Sequence, residues 1–405
     1  MGKPLSITFI VRDPLPPTRA DVLTLFGDQM PRYGVHTELV GQSGAHAHVP
    51  WAAGGMHVVG SLRSKAAAVL SPLWDTLGLL RALRRVRPDC IQVRDKIASG
   101  LVGRVAAVVL RVPFVYWMSF PIVEGFEVRR DEIGRAGRGL RWLAHHLRAR
   151  ASRVVVYRWL LPAARHIFVQ SDAMADWLAG QGFDRERMTA VPMGVDATLF
   201  DRARVAPVQD ARLDGRRAVL YLGRIAQSRR SDFLLDVAER LRATLPEVLL
   251  VIAGDAPSND EMAWMRREIA TRNLDSHVLL TGWLPQAAAL GYAVRAEVGL
   301  SPIPRGVLFD VSSPTKLVEY LALGIPSVAN DIPDQRLVID QSRAGLCAPM
   351  EVEPFAAAVL RLMNDPRLQA AFAGRGPSWV RSHRTYDILA RNVAETYKRI
   401  LPDRA

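Results

Sequence analysis

The sequence predicts an α/β protein built of two Rossmann-like, doubly wound domains facing a cleft. Three observations carry that expectation. The chain has 405 residues, more than one hydrophobic core usually serves. Short β-type runs alternate with helix-type runs through both halves, the pattern of a parallel sheet with crossover helices. Hydrophobic residues at 49% and charged residues at 23% are the balance of an ordinary folded domain and exclude disordered and low-complexity classes.

The first half offers strands at Ile7–Val11, His36–Val40, Cys90–Val93, Phe114–Trp117 and His166–Gln170. Between them, Leu73, Trp74, Leu77, Leu80 and Leu83 recur at helical spacing, and the apolar stretch Ala98–Leu110 reads as a buried helix. After a linker at Asp201–Arg217 the alternation resumes. Strands are expected at Ala218–Gly223, Val248–Ala253, Val278–Leu280, Glu297–Ser301 and Pro326–Ala329, with helices at Asp232–Leu245, Asn259–Asn273, Pro314–Leu323 and from Pro354 onward. The expected domains are therefore 1–205 and 206–385, with a last helix near 386–401 that packs back on the first. Ligands of open α/β sheets bind at the carboxyl ends of the strands, which directs attention to the loops there.

Charge is unevenly spread. Up to Val205 there are 28 Lys and Arg against 17 Asp and Glu, net +11, which leaves only +2 of the total +13 for the remainder. From Ile133 to Ser171 eight arginines, beginning with Arg135 and ending with Arg165, occur without an acid, so that segment calls for anions. The two cysteines, Cys90 and Cys347, are too few for a disulfide framework or a cysteine zinc site. No apolar run reaches the ~18 residues of a spanning helix, and Ile7–Val11 lacks the features of a secretory signal. A cytoplasmic protein, peripheral at most on the inner face of a membrane, is the expectation.

The richest stretch runs from Ser312 to Pro326. Ser313 suits an N-cap, Pro314 the first helical position, and Gly324-Ile325-Pro326 a stop. The free N–H groups of Thr315 and Lys316, with the helix dipole, form an anion site suited to a diphosphate, and Lys316 adds a full charge. Glu319 shares that face one turn on, where a carboxylate can accept hydrogen bonds from a ribose cis-diol. An ordinary capped helix with a surface glutamate is the plain alternative. A second basic position follows the strand at Ala218–Leu222. Gly223 permits close backbone approach, and Arg224 and Arg229 can reach a diphosphate, unless they are simply a solvated loop.

Read together these blocks resemble the family 4 retaining glycosyltransferases. Val191-Pro192-Met193-Gly194-Val195-Asp196 with Phe200 is similar to the family's Pro-Asn-Gly-Val-Asp…Phe signature, with Met193 in place of asparagine. Gly223-Arg224…Arg229 is similar to its Gly-Arg…Lys pair. Val251–Asp255, Leu280–Pro285, Ser313–Pro326 and Ala329-Asn330-Asp331 follow in the family's order. The resemblance implies the GT-B fold, a nucleotide-sugar donor on the C-terminal domain and an acceptor on the N-terminal one. It further implies diphosphate contacts from Arg224, Arg229, Thr315 and Lys316 and ribose contacts from Glu319, with Gly223 and Ser313 completing the donor-binding set and Arg224, Arg229 and Lys316 stabilising the leaving group. No cofactor and no metal is expected, since no Asp-x-Asp pair or ligand cluster is present. The family's first acidic position falls on Val311, with Asp310 one residue out of register, and its role would pass to the backbone amides of Val311 and Ser312. Ser119 stands where many relatives carry a histidine.

On the N-terminal side, Arg94-Asp95-Lys96 and Trp117–Glu124 follow strands. Trp117 is a sugar-stacking ring or core, and Asp95 or Glu124 orients an acceptor hydroxyl or is structural. Residues 135–165 mix arginines with Leu140, Trp142, Leu147 and Trp159, as in a helix lying on an anionic leaflet, or equally in a helix with a solvated basic face. Nucleic acid is not an expected partner, because no stacking platform or recognised motif is present. The leading expectation is a sugar transferase acting on a saccharide or lipid-linked acceptor. A non-catalytic nucleotide-sugar binder and a nucleotide-sugar epimerase of the same fold stay open.

Overall fold

The computed structural model describes residues 4–44, 50–62 and 69–401. The chain forms two compact units. One takes the chain up to Pro192 and again from Tyr386; the other is Met193–Thr385.

The first unit is a seven-stranded sheet of β1 (Leu5–Ile10), β2 (Val35–Ser43), β3 (Gly54–Ser61), β4 (Cys90–Arg94), β5 (Phe114–Met118), β6 (His166–Val169) and β7 (Met188–Ala190). Every pairing is parallel, in the order β3-β2-β1-β4-β5-β6-β7. All five residues of Phe-Val-Tyr-Trp-Met in β5 are buried, as befits a strand covered on both faces. The helix Tyr386–Ile400 turns Tyr386, Leu389, Ala390, Val393 and Tyr397 into the core around Phe9, Phe26, Trp117 and Phe168. The Tyr397 hydroxyl donates to Gln92 Oε1 on β4, and the Tyr33 hydroxyl donates to Asp387 at 2.8 Å. Strands β3 and β7 escape sequence reading because one is rich in glycine and the other is three residues long.

The Ala98–Leu110 helix corrects one expectation: it is not buried. Its inner stripe is Ser99, Gly100, Gly103 and Ala107, while Val105, Val108 and Val109 are 62, 72 and 74% exposed. The small residues decide this. A Cβ on Gly103 would stand 2.6 Å from Val93 of β4 and one on Gly100 2.7 Å from Leu160, so the glycine side goes inward and the β-branched side faces out.

The second unit is a six-stranded parallel sheet of β8 (Arg217–Leu222), β9 (Val248–Ala253), β10 (Val278–Gly282), β11 (Val298–Ser301), β12 (Ser327–Asn330) and β13 (Gly345–Ala348), ordered β10-β9-β8-β11-β12-β13. Alternate residues of β8 feed two cores, Ala218 and Leu220 one, Val219 and Tyr221 the other, following the period of two in a strand. Residues 193–205, expected with the first domain, pack in this unit. Val195 and Phe200 enter its core, and the Val195 N–H donates to Arg384 O at 2.8 Å. Among the described residues no helix is long and apolar enough to cross a membrane.

Strand order reverses between β8 and β11, and a single side chain spans that switch point. From the Thr315–Ala322 helix, the Tyr320 hydroxyl accepts the Leu222 N–H at 2.7 Å, and its own hydrogen lies between Leu300 O (3.3 Å) and Leu220 O (3.4 Å). Gly299 of β11 makes room, since a Cβ there would sit 2.5 Å from the Tyr320 ring. Tyr320→Phe removes the acceptor and leaves a buried amide unpaired. We expect a loss of about 1–3 kcal/mol in the unfolding of this unit and faster hydrogen exchange at the Leu222 amide. Unchanged protection at Leu222 would contradict the bridging role.

Candidate functional site

At the carboxyl end of β8 the chain enters Gly223 with φ +153°. Gly254, which follows β9 with φ +156°, lies so close that a Cβ on it would stand 2.0 Å from Gly223 O. Two glycines are thus required for the strand ends to approach. The Gly223 N–H donates to Ala253 O (3.1 Å) and the Ile225 N–H to Asp255 O (3.1 Å), which fixes the loop.

Lys316, on the first turn of the Thr315–Ala322 helix, points at this loop. It is buried, its Nζ lies 4.3 Å from the centre of the Tyr221 ring, and it is 3.4 Å from where a Gly223 Cβ would stand. Among the described residues no carboxylate is within ion-pair distance of Lys316, Arg224 or Arg229. Arg224 is exposed and Arg229 half-buried, whereas the neighbouring Arg230 is paired to Asp232 at 3.1 Å. A covered ammonium facing only an aromatic quadrupole is short of anionic partners. Glu319 is half-buried on the same helix. Burial lifts its carboxyl to about 7, with the charge of Lys316 pulling the other way.

The helix begins one residue later than expected. Pro314 occupies the N-cap with extended backbone and no side chain caps the end, so the first-turn N–H groups of Thr315 and Lys316 have no helical acceptor. Ser313 is not the cap, and its hydroxyl is taken up within the protein. Its hydroxyl is buried, donates to Asp334 (2.7 Å) and accepts the Met193 N–H (3.0 Å), while Arg384 reaches Asp334 at 2.6 Å. Ser313 therefore anchors the turn from beneath. The backbone amides of Val311 and Ser312 are likewise spent, since both donate to Phe309 O. Asp310 pairs with Arg305 at 2.8 Å.

In the first unit, Trp117 is core, packed against Phe168 (4.9 Å) and Phe26 (5.2 Å between ring centres). Glu124 is buried and held by Tyr157 (2.9 and 3.0 Å) and Arg153 (3.1 Å), which makes it structural. Asp95, with φ +49°, is buried and accepts the Ser119 N–H at 2.9 Å and the Ser119 hydroxyl. Burial raises its carboxyl above the usual range although Arg94 opposes the shift. Lys96 is tied to buried Asp75 at 2.7 Å and Gln42 at 2.9 Å. Around these residues lies a cavity of about 560 Å³ whose wall includes Arg12, Asp95, Lys96, Ile122, Phe126 and Arg148. It opens beside the carboxyl ends of β1 and β4, where the strand order of this sheet reverses.

Sequence reasoning missed Tyr221 and Tyr320, which set the position of Lys316, and the Asp334–Arg384 pair. None carries a local signal, because each acts on a residue distant in the chain.

The description "Glycosyltransferase Family 4" matches residues 22–199 and "Glycosyl transferases group 1" matches residues 216–365. A phosphatidyl-myo-inositol mannosyltransferase of Mycolicibacterium smegmatis is 27% identical over 212 residues, 52% of this chain and 51% of that protein. An alpha-D-kanosaminyltransferase of Streptomyces kanamyceticus is 28% identical over 162 residues, 40% of each. The matched stretches thus span about half or less of these curated relatives. Among solved structures, Anabaena Alr3699/HepE in complex with UDP and glucose aligns with TM-score 0.69 at 15% identity, over 98% of this chain and 100% of that one, a likeness of fold. With a family description on each unit and two doubly wound sheets beneath them, the chain belongs to the family 4, group 1 glycosyltransferases of GT-B fold.

Proposed function

We propose that the protein transfers a sugar from a UDP- or GDP-linked donor, held by the second unit, to a saccharide acceptor carried on a lipid and held by the first, with retention of anomeric configuration. The observation that carries this is the covered, carboxylate-free ammonium of Lys316 beside the Gly223 loop and an uncapped helix start. Such an arrangement favours a diphosphate. Bound UDP in the Anabaena neighbour and the phosphatidylinositol in the mycobacterial relative's name support the donor and acceptor classes.

Arg224, Arg229, Lys316 and the free N–H groups of Thr315 and Lys316 hold the diphosphate, and the Glu319 carboxylate accepts the ribose hydroxyls. As the bond from the anomeric carbon to the diphosphate oxygen breaks, negative charge grows on that oxygen, and fixed cations stabilise it without reorganising. The acceptor hydroxyl attacks from the same face and its proton passes to the departing diphosphate, so no enzymic nucleophile is used. In this reading the cations of Lys316, Arg224 and Arg229 take the leaving-group charge, and no metal or other cofactor takes part. An epimerase would need carboxylates around the sugar, and the carboxylates of Asp310 and Asp334 are both engaged in ion pairs.

Peripheral association with the inner leaflet accompanies this reading. The Leu140–Val154 helix exposes Leu140, Leu143 and Leu147, although acids of the preceding helix, Glu124 and Glu127, neutralise Arg153.

Two outcomes test the reading. Donor binding needs the ionised Glu319 carboxylate, whose folded value near 7 lies above that of a free glutamate. Affinity by calorimetry should therefore fall as pH drops through 7, approaching about tenfold per unit. Glu319→Gln should bind more weakly at pH 8 and lose this dependence; a parent affinity flat from pH 5.5 to 8 rules out the ribose assignment.

Arg224→Ala and Arg229→Ala should each lower kcat by about 10–100-fold while raising the donor KM less, because leaving-group charge develops mainly in the transition state. Proton NMR of the first product should report a retained anomer. An inverted product overturns the same-face mechanism, and full turnover in both variants overturns the diphosphate assignment.

A further inference from the structure

The helices Ser71–Arg85 and Ala98–Leu110 of the first unit pack on each other and present a surface that a water-facing helix pair does not need. Leu73, Leu77 and Leu80 recur at i, i+4 and i+7 on the first, each 40–52% exposed, and the second exposes Val105, Val108 and Val109. Exposed apolar groups on contiguous turns mark a contact surface rather than scattered surface residues.

Charge accompanies this face. Arg81 and Arg84 on the first helix, Arg104 on the second and Arg111 at its end have no carboxylate within ion-pair distance among the described residues. The one acid on either helix, Asp75, is buried and bound by Lys96. In the arginine-rich 135–165 segment, by comparison, Arg153 is neutralised by Glu124 and Glu127 of the neighbouring helix. An apolar strip bordered by unneutralised arginines is complementary to acyl chains beneath anionic headgroups.

Position adds a third argument. Both helices begin on the wall of the 560 Å³ cavity, through Ser71 and Pro72 on one and Ala98 and Ser99 on the other. The same wall carries Arg12 and Arg148 together with Leu101, Ile122 and Phe126, a mixture that suits the junction between an anionic headgroup and its apolar chain. The two helices that carry the outer apolar residues are thus the ones whose first turns line the cavity.

We propose that the outward face of the Ser71–Arg85 and Ala98–Leu110 helices docks on an anionic lipid leaflet, so that a lipid-borne acceptor enters the adjoining cavity without leaving the membrane. This rests on the reading that the acceptor is carried on lipid.

The test is co-sedimentation of the full chain with phosphatidylcholine vesicles prepared with and without phosphatidylglycerol. The parent should bind the anionic vesicles and be released by salt. The combined change Val105→Ser, Val108→Ser and Val109→Ser should lower the bound fraction by about tenfold while transfer to a soluble acceptor analogue is unchanged. Changing Arg81, Arg84, Arg104 and Arg111 to glutamine should remove the preference for phosphatidylglycerol. If the serine variant binds as the parent does, while Arg148, Arg150, Arg153 and Arg158 changed to glutamine abolish binding, the docking face is wrong and peripheral association stands. If the parent ignores both vesicles, both fail. If the serine changes instead convert a dimer to a monomer in sedimentation velocity, the face joins two copies of the chain and the proposal is overturned.

Discussion

The site depends on one hydroxyl group. Tyr320 reaches from the Thr315–Ala322 helix across the point where strand order reverses, taking the Leu222 N–H and addressing carbonyls of both β8 and β11. Crevices at such points exist because neighbouring connections leave on opposite faces of the sheet. Here the tyrosine closes the base of the crevice and sets the register of the helix above it. Lys316 lies one turn earlier on that helix, so its approach to Gly223 follows from the position of Tyr320. The Gly223–Gly254 contact sets the other side, because any side chain at Gly254 would displace the loop that faces Lys316.

The electrostatics follow from the geometry. Lys316 and Glu319 share a helix face but form no ion pair, and each is left poorly solvated. A pair that neutralised itself would have little left for a ligand. Held apart, the ammonium is left for an oxyanion and the carboxylate for hydroxyl donors, the two groups that the proposed nucleotide-sugar donor carries. Asp95, by contrast, is satisfied internally by Ser119 and Arg94, so its burial builds the wall of a cavity and does not create an exposed base.

Much of this was legible in the sequence because it rests on local chemistry. Alternating strands and helices, the Gly223 turn and the face shared by Lys316 and Glu319 all follow from spacing within a few residues. What escaped depends on partners far along the chain. Ser313 has the composition of an N-cap, yet Asp334, 21 residues on, takes its hydroxyl, and the cap passes to Pro314. The Ala98–Leu110 helix reads as buried from its apolar content alone; only its contacts with Val93 and Leu160 show that glycines, not valines, face inward. Residues 193–205 resemble the close of the first domain until Arg384 receives the Val195 N–H.

The path of the chain has a consequence for how the molecule is made. The second unit is continuous, and its two ends lie side by side through the Val195–Arg384 hydrogen bond, so it has the topology of a domain inserted within another. The first unit is interrupted. The hydrophobic surface of Phe9, Trp117 and Phe168 is covered by Tyr386–Ile400, a helix synthesised only after the whole second unit. During translation the earlier-born half must therefore wait with an open core while the later-born half can already close. The contact between Gln92 and Tyr397 joins residues 305 apart, and folding of the intervening unit shortens the span that this loop closure must bridge. Nascent chains of this protein are accordingly most exposed to aggregation and to holdase chaperones in the interval between completion of the first sheet and synthesis of the last helix.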